Sequence, residues 1–224
     1  MDCEKLQEKL DRSASFRKRE ITNLSLQIQS VEGEVQKSIL RASILIMYAH
    51  FEGFSKEAIK LFIKHLNSQN IVVSSMEHHW QTLFHTKKIL LIKSSSKKQK
   101  FNELLEDILI ENGEHFFVNE DAKDIVSSGS NLNFEMLEDL LFIIGAKPDQ
   151  FELYYDEESS FIHTKKEFID RELLGRRNAI AHGEGIPVLI REFEEVKKFV
   201  ISYIDSLKDF ILRTSQERSY IKQS

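Results

Sequence analysis

The chain has 224 residues, 41% of them apolar, and 31 basic residues against 36 acidic ones give a formal charge of −5. That length and apolar share can bury a core, while the acidic balance argues against a protein that coats nucleic acid by bulk attraction. A single cysteine, Cys3, excludes an internal disulfide and a cysteine-rich zinc site, and a reducing cytoplasm is the expected setting. No basic start leads into an apolar run, so no signal peptide is expected. The longest apolar run, Ile44 to Ala49, is too short to span a bilayer, which predicts a soluble protein with no membrane partner.

Read in chain order, the apolar spacing is helical almost throughout, and two prolines leave room for long helices. Residues 1–30 read as a helical extension, with Leu6, Leu10, Phe16, Ile21, Leu24 and Ile28 three to six apart and a break expected around Ser13 to Ser15. Residues 31–224 read as the main helical domain. Its first helix, from about Glu32 to Leu66, is apolar all round between Ile44 and Met47 and so belongs at the centre of the core. Arg41, Tyr48, Glu52 and Ser55 fall along one side of it. A carboxylate inside an apolar helix needs a partner, so Glu52 either forms a structural ion pair or orients a functional cation. His50 reads as a packed or interface residue and not as a catalyst.

Further helices are expected at 76–92, 98–112, Phe134 to Ile144 with Asn133 as N-cap and Gly145 as C-cap, Thr164 to Ala181, and Leu189 to Arg213. A short helix from Asp121 to Val126 interrupts an irregular segment. Strand signals are nearly absent, so the fold class is all-α. His78, His79 and His85 lack the spacing of a metal site, and no phosphate-loop or dinucleotide motif occurs. Between Lys87 and Lys100 lie six lysines and no acidic residue. They form either a solvated face or a guide for RNA, with Lys97, Lys98 and Lys100 as candidate substrate contacts. A second basic cluster is Arg12, Arg17, Lys18 and Arg19.

The unusual chemistry sits between Arg171 and Gly185, where a helix stops at two glycines. Gly183 and Gly185 suit a left-handed closing turn, and the negative end of the helix dipole lies beside His182. Asn178 and His182, four apart, share a face. Arg177 is five residues from His182, about 140° away round an ideal helix, so two copies at a two-fold axis would bring both groups to one cleft more readily than one. An imidazole, a guanidinium for phosphate and an orienting amide point to phosphodiester chemistry.

The pattern Arg177-Asn178-x-x-x-His182 resembles the signature of HEPN domains, small all-helical proteins, many of them dimeric ribonucleases that need no metal. Together, Tyr48-Ala-His-Phe-Glu-Gly-Phe-Ser-Lys56, Ser130-Asn-Leu-Asn133 and Arg177-Asn-Ala-Ile-Ala-His-Gly-Glu184 are similar to the MAE_28990/MAE_18760-like HEPN group, from about residue 35 to the C-terminus. The resemblance implies a HEPN-like helical bundle with long core helices. It also implies a homodimeric endoribonuclease without cofactor, set in a bacterial toxin–antitoxin or anti-phage system beside a cognate antitoxin or defence protein. In that reading His182 moves protons, Arg177 clamps the phosphate and Asn178 holds the histidine or the substrate. Tyr48 and Glu52 support them, with Glu52 orienting Arg177, and Arg176 touches RNA or the partner protomer. Glu184 stands where some HEPN toxins carry a tyrosine that a partner modifies. The alternative is a catalytically inactive helical module for binding or dimerisation in a defence complex.

Overall fold

The computed structural model describes residues 1–110, 113–121, 131–151 and 164–223, without the side chains of 107–110. Helix α2 (Gly33–Asn67) runs through its middle, with α1 (Cys3–Ser30) and α8 (Ile190–Glu217) packed along it and on each other. The reason is legible in the spacing. On α8, Phe193, Val196, Val200, Tyr203, Leu207 and Ile211 are buried at intervals of three and four, one apolar stripe facing the core. On α2 the buried set runs round more of the helix, from Leu40, Ile44 and Met47 to Phe51, Phe54 and Phe62. Ser55, expected beside Tyr48 on a polar line, is instead buried. Its hydroxyl lies 2.8 Å from that of Tyr203, a contact between α2 and α8.

The expected break in α1 at Ser13–Ser15 does not occur. Ser13 and Ala14 are buried small residues that let α1 approach α2, and the Ser13 hydroxyl donates to Glu57 at 2.8 Å instead of competing for the α1 backbone. The basic cluster beside it is largely stitched across helices. Arg17 pairs with Glu57 at 3.0 Å and stacks over Phe54, and Lys18 pairs with Asp205 on α8. Arg12 pairs with Glu8 on its own helix.

Outside the three-helix core come a 3₁₀ turn (Val73–Ser75), α3 (His78–Lys93), α4 (Lys98–Ile110) and α5 (Phe134–Phe142). A 3₁₀ turn (Pro148–Gln150) and a composite helix described below complete the elements. Asn133 caps α5 as expected, accepting the Met136 N–H at 2.9 Å. Gly145 adopts φ +72°, and a Cβ there would meet the His79 ring at 2.6 Å. Among the described residues the extended contacts are two isolated bridges, Val72 with His115 and Met76 with Ile221. No described helix is long and apolar enough to cross a membrane. Beyond Asp121, the short helix expected to Val126 lies outside the described residues, as does Ser130.

Candidate functional site

The run predicted as one regular helix from Thr164 to Ala181 is helical, but its ladder changes width. After α6 (Lys165–Glu167) comes a π-helical stretch, Phe168–Gly175, followed by α7 (Arg176–Ala181). In a π-helix each N–H reaches five residues back, and the Arg176 N–H is directed to the carbonyls of Arg171 and Leu173. The turn is tight at its end: a Cβ on Gly175 would lie 3.2 Å from the Asp170 carbonyl oxygen. Phe168, Ile169 and Leu173 are buried in the core, and the Asp170 carboxylate accepts the Phe134 N–H at 2.8 Å. The wide stretch is thus bolted to the start of α5 just before it delivers Arg176 and Arg177.

The two arginines face different tasks. Arg176 is enclosed by acids: Nε donates to Glu172 at 2.6 Å, and Nη2 and Nη1 donate to Glu192 at 2.6 and 3.2 Å. Burial alone would lower its pKa, but the two carboxylates outweigh it and hold the guanidinium above its ordinary value. Arg176 therefore pins α7 to the start of α8, where the sequence had offered it to RNA or to a partner. A cleft of 460 Å³ opens beside it, lined in part by Arg171, Ala179 and Pro187, and not by Arg177, Asn178 or His182.

Arg177 lies on the other side, its guanidinium carbon 5.0 Å from the centre of the Tyr48 ring. A cation over an aromatic face gains about 0.5–2 kcal/mol and keeps its in-plane donors free. One of them, Nη1, donates to Asn178 Oδ1 at 2.8 Å, and Asn131 Nδ2 approaches the same oxygen at 3.3 Å. Arginine has no acceptor, so the Asn178 atom facing it must be the carbonyl oxygen. The amide of Asn178 is thereby oriented, and its NH₂ is the end left to donate.

Tyr48 is itself clamped. Its hydroxyl accepts the N–H of buried Leu132 at 2.6 Å and lies within the influence of the Glu52 carboxylate, one turn along α2. Burial, followed by the charge of Glu52, pushes the phenol well above its ordinary range, so it stays neutral. Glu52 also pairs with Lys56, one turn along α2. Its described partners are Tyr48 and Lys56, so Glu52 meets Arg177 through the tyrosine ring. Three segments distant in sequence interlock here: Tyr48 with Glu52, residues 131–134, and Arg177 with Asn178.

His182 is exposed at the end of α7. The turn that follows satisfies the helix end in both ways such a turn can, with Gly183 N–H on the Ile180 carbonyl at 3.1 Å and Glu184 N–H on Ala179 at 2.9 Å. Only Gly183, at φ +83°, takes the left-handed conformation; Gly185 does not. The Glu184 side chain is exposed, and its carbonyl accepts from Arg41 Nη2 at 2.6 Å. Lys97, just before α4, and Lys98 and Lys100 on its first turn are exposed; α4 packs on α3, and no hydrogen bond or ion pair among the described residues links the three lysines to Arg177, Asn178 or His182. His50 is buried beside Glu20 at 2.9 Å. No group of three or more histidine, cysteine or acidic side chains among the described residues is arranged to hold a metal ion.

Asn131, Leu132 and Asp170 are the contributors to the site that sequence reasoning did not assign. The segment containing Asn131 stood out only by resemblance, and a backbone N–H such as that of Leu132 leaves no trace in residue type. A protein-family model described as RiboL-PSP-HEPN matches residues 12–213, which is a broader description than the group named from the three segments. No curated protein and no solved structure matches the chain.

Proposed function

The chain belongs to the RiboL-PSP-HEPN family, and on that premise we propose that it is a metal-independent endoribonuclease acting as a homodimer, a toxin of a bacterial toxin–antitoxin or anti-phage system. The observation that supports this most is the pairing of a stacked Arg177, an Asn178 amide turned to donate, and a solvent-exposed His182 one turn further on.

RNA brings its own nucleophile, the 2′-hydroxyl. The enzyme has to take its proton, stabilise the crowded phosphorane and protonate the leaving 5′-oxygen. His182 exchanges the protons. Arg177, with one donor on Asn178 and no other hydrogen bond among the described residues, binds the phosphate oxygens more strongly as their charge grows. Asn178 adds an N–H to the same phosphate. The P–O5′ bond breaks as the 2′-oxygen bonds to phosphorus, leaving a 2′,3′-cyclic phosphate and a 5′-hydroxyl. A second protomer placing its own Arg177 and His182 across a two-fold axis doubles the donors on the groove. Lys97, Lys98 and Lys100 act as an outlying guide for the strand, and a cognate antitoxin or other defence protein covers the groove.

Purified protein incubated with tRNA and total RNA in EDTA should cleave, and the His182→Ala and Arg177→Ala variants should not. The alternative, an inactive binding module, is favoured by the Arg177–Asn178 bond, which engages one guanidinium donor within the chain. Absence of cleavage by the wild type, or equal cleavage by wild type and His182→Ala, would support that module and reject the nuclease.

A further inference from the structure

Arg41 precedes Tyr48 by seven residues on α2, which places it two turns away on the same side of the helix, about 10 Å along the axis. Half-buried Leu45 lies between them. Tyr48 supports Arg177, and Arg41 holds the carbonyl of Glu184, two residues past His182. One side of α2 therefore carries two guanidinium groups, with the turn that bears His182 docked at the Arg41 end. A cation at the end of α7 has an evident structural use, since it meets the negative end of the helix dipole. That use needs one donor. Among the described residues Arg41 has one recorded hydrogen bond, and a guanidinium has five N–H groups in a fixed fork.

We infer that Arg41 is a second phosphate-binding residue and that the substrate is a polynucleotide strand running along α2. Arg177 takes the phosphate that is cleaved and Arg41 takes another of the same strand. The two positions on α2 that carry these contacts lie about 10 Å apart along the helix axis, a separation that a single phosphate group does not span. A nucleoside monophosphate, or a dinucleoside monophosphate with its single phosphate, fills only the Arg177 end. This inference rests on the nuclease reading for its chemistry, but the phosphate contact itself is a matter of binding.

Two measurements on the full chain separate the roles. The first is binding of an uncleavable 2′-O-methylated single-stranded RNA across a range of salt. Arg41→Gln should weaken binding by about ten- to a hundred-fold and make the dependence of log K on log salt shallower by about 0.7, the value for one phosphate contact on a single strand. Arg41→Lys should keep the slope. The second is cleavage: Arg41→Gln should lower kcat/KM on a longer oligoribonucleotide by a larger factor than on a dinucleoside monophosphate, whose loss reports only the contact to the His182 turn. An unchanged salt slope, with equal losses on both substrates, would overturn the inference and leave Arg41 as a positioning residue for the His182 turn. If the wild type cleaves neither substrate, the nuclease reading fails, and the salt slope still decides whether Arg41 meets a phosphate.

Discussion

Removing the Tyr48 hydroxyl, by Tyr48→Phe, tests how the site is held together. The ring stays under Arg177, so the cation–π contact survives. What is lost is the acceptor for the Leu132 N–H, at 2.6 Å, and the neutral hydroxyl beside the Glu52 carboxylate. Leu132 is 1% exposed, so water cannot readily replace the missing partner. A buried donor left unsatisfied costs about 1–3 kcal/mol, whereas Glu52 keeps its bond to Lys56 and should lose little. Urea unfolding of Tyr48→Phe should therefore show a loss of about 1–3 kcal/mol with an unchanged slope against denaturant. Hydrogen exchange at Leu132 should rise more than exchange along α8. A loss below about 0.5 kcal/mol, within the range of ordinary surface substitutions, would refute the claim that this hydroxyl ties residues 131–134 to α2.

Arg176→Ala should destabilise the chain by about 2 kcal/mol, because Glu172 and Glu192 are left facing one another around a partly buried gap. It should leave affinity for RNA unchanged; a larger effect on RNA than on stability would return Arg176 to the groove. His65 is buried, with Nδ1 on the Met1 carbonyl and Nε2 on the Ser215 hydroxyl, each at 2.8 Å. Burial, the largest influence, lowers its pKa, so the unfolded chain binds the proton more readily and acid favours unfolding. Stability should be level above about pH 7 and fall as the pH drops through the ordinary histidine value of 6.5, by at most about 1.4 kcal/mol per pH unit from this group. His50 and His79 shift the same way. His65→Gln should flatten the decline in urea unfolding between pH 7 and 5, and an unchanged decline would contradict this assignment. If each cleft takes Arg177 from one protomer and His182 from the other, mixing inactive Arg177→Ala and His182→Ala proteins should restore part of the cleavage. No recovery after verified subunit exchange would show that each cleft draws both groups from one chain.

The long helices were legible because burial imposes a period. The α8 stripe from Phe193 to Ile211 and the apolar belt of α2 leave their spacing in the sequence. Asn133 as the cap of α5 was legible for the same reason, since a specific backbone task selects a specific side chain. The π-helical stretch was not. Its residues are ordinary helix formers, and the widening depends on packing of Phe168, Ile169 and Leu173 and on Asp170 reaching α5. Ser13 misled because a helical serine is weak only while its hydroxyl competes for backbone, and here Glu57 occupies it. Arg176 and Arg177 are identical in type and adjacent in sequence. Only the fold separates the one ringed by Glu172 and Glu192 from the one stacked on Tyr48.

The most direct measurement concerns the chemistry at the cut. RNA digested in EDTA by the wild-type protein should end in 2′,3′-cyclic phosphate or 3′-phosphate with a 5′-hydroxyl on the other fragment. An oligonucleotide with a 2′-deoxy sugar at the mapped position should resist, because its nucleophile is gone. Products with a 5′-phosphate, or cleavage of the 2′-deoxy substrate at the same position, would contradict an Arg177–His182 site that works through the 2′-hydroxyl.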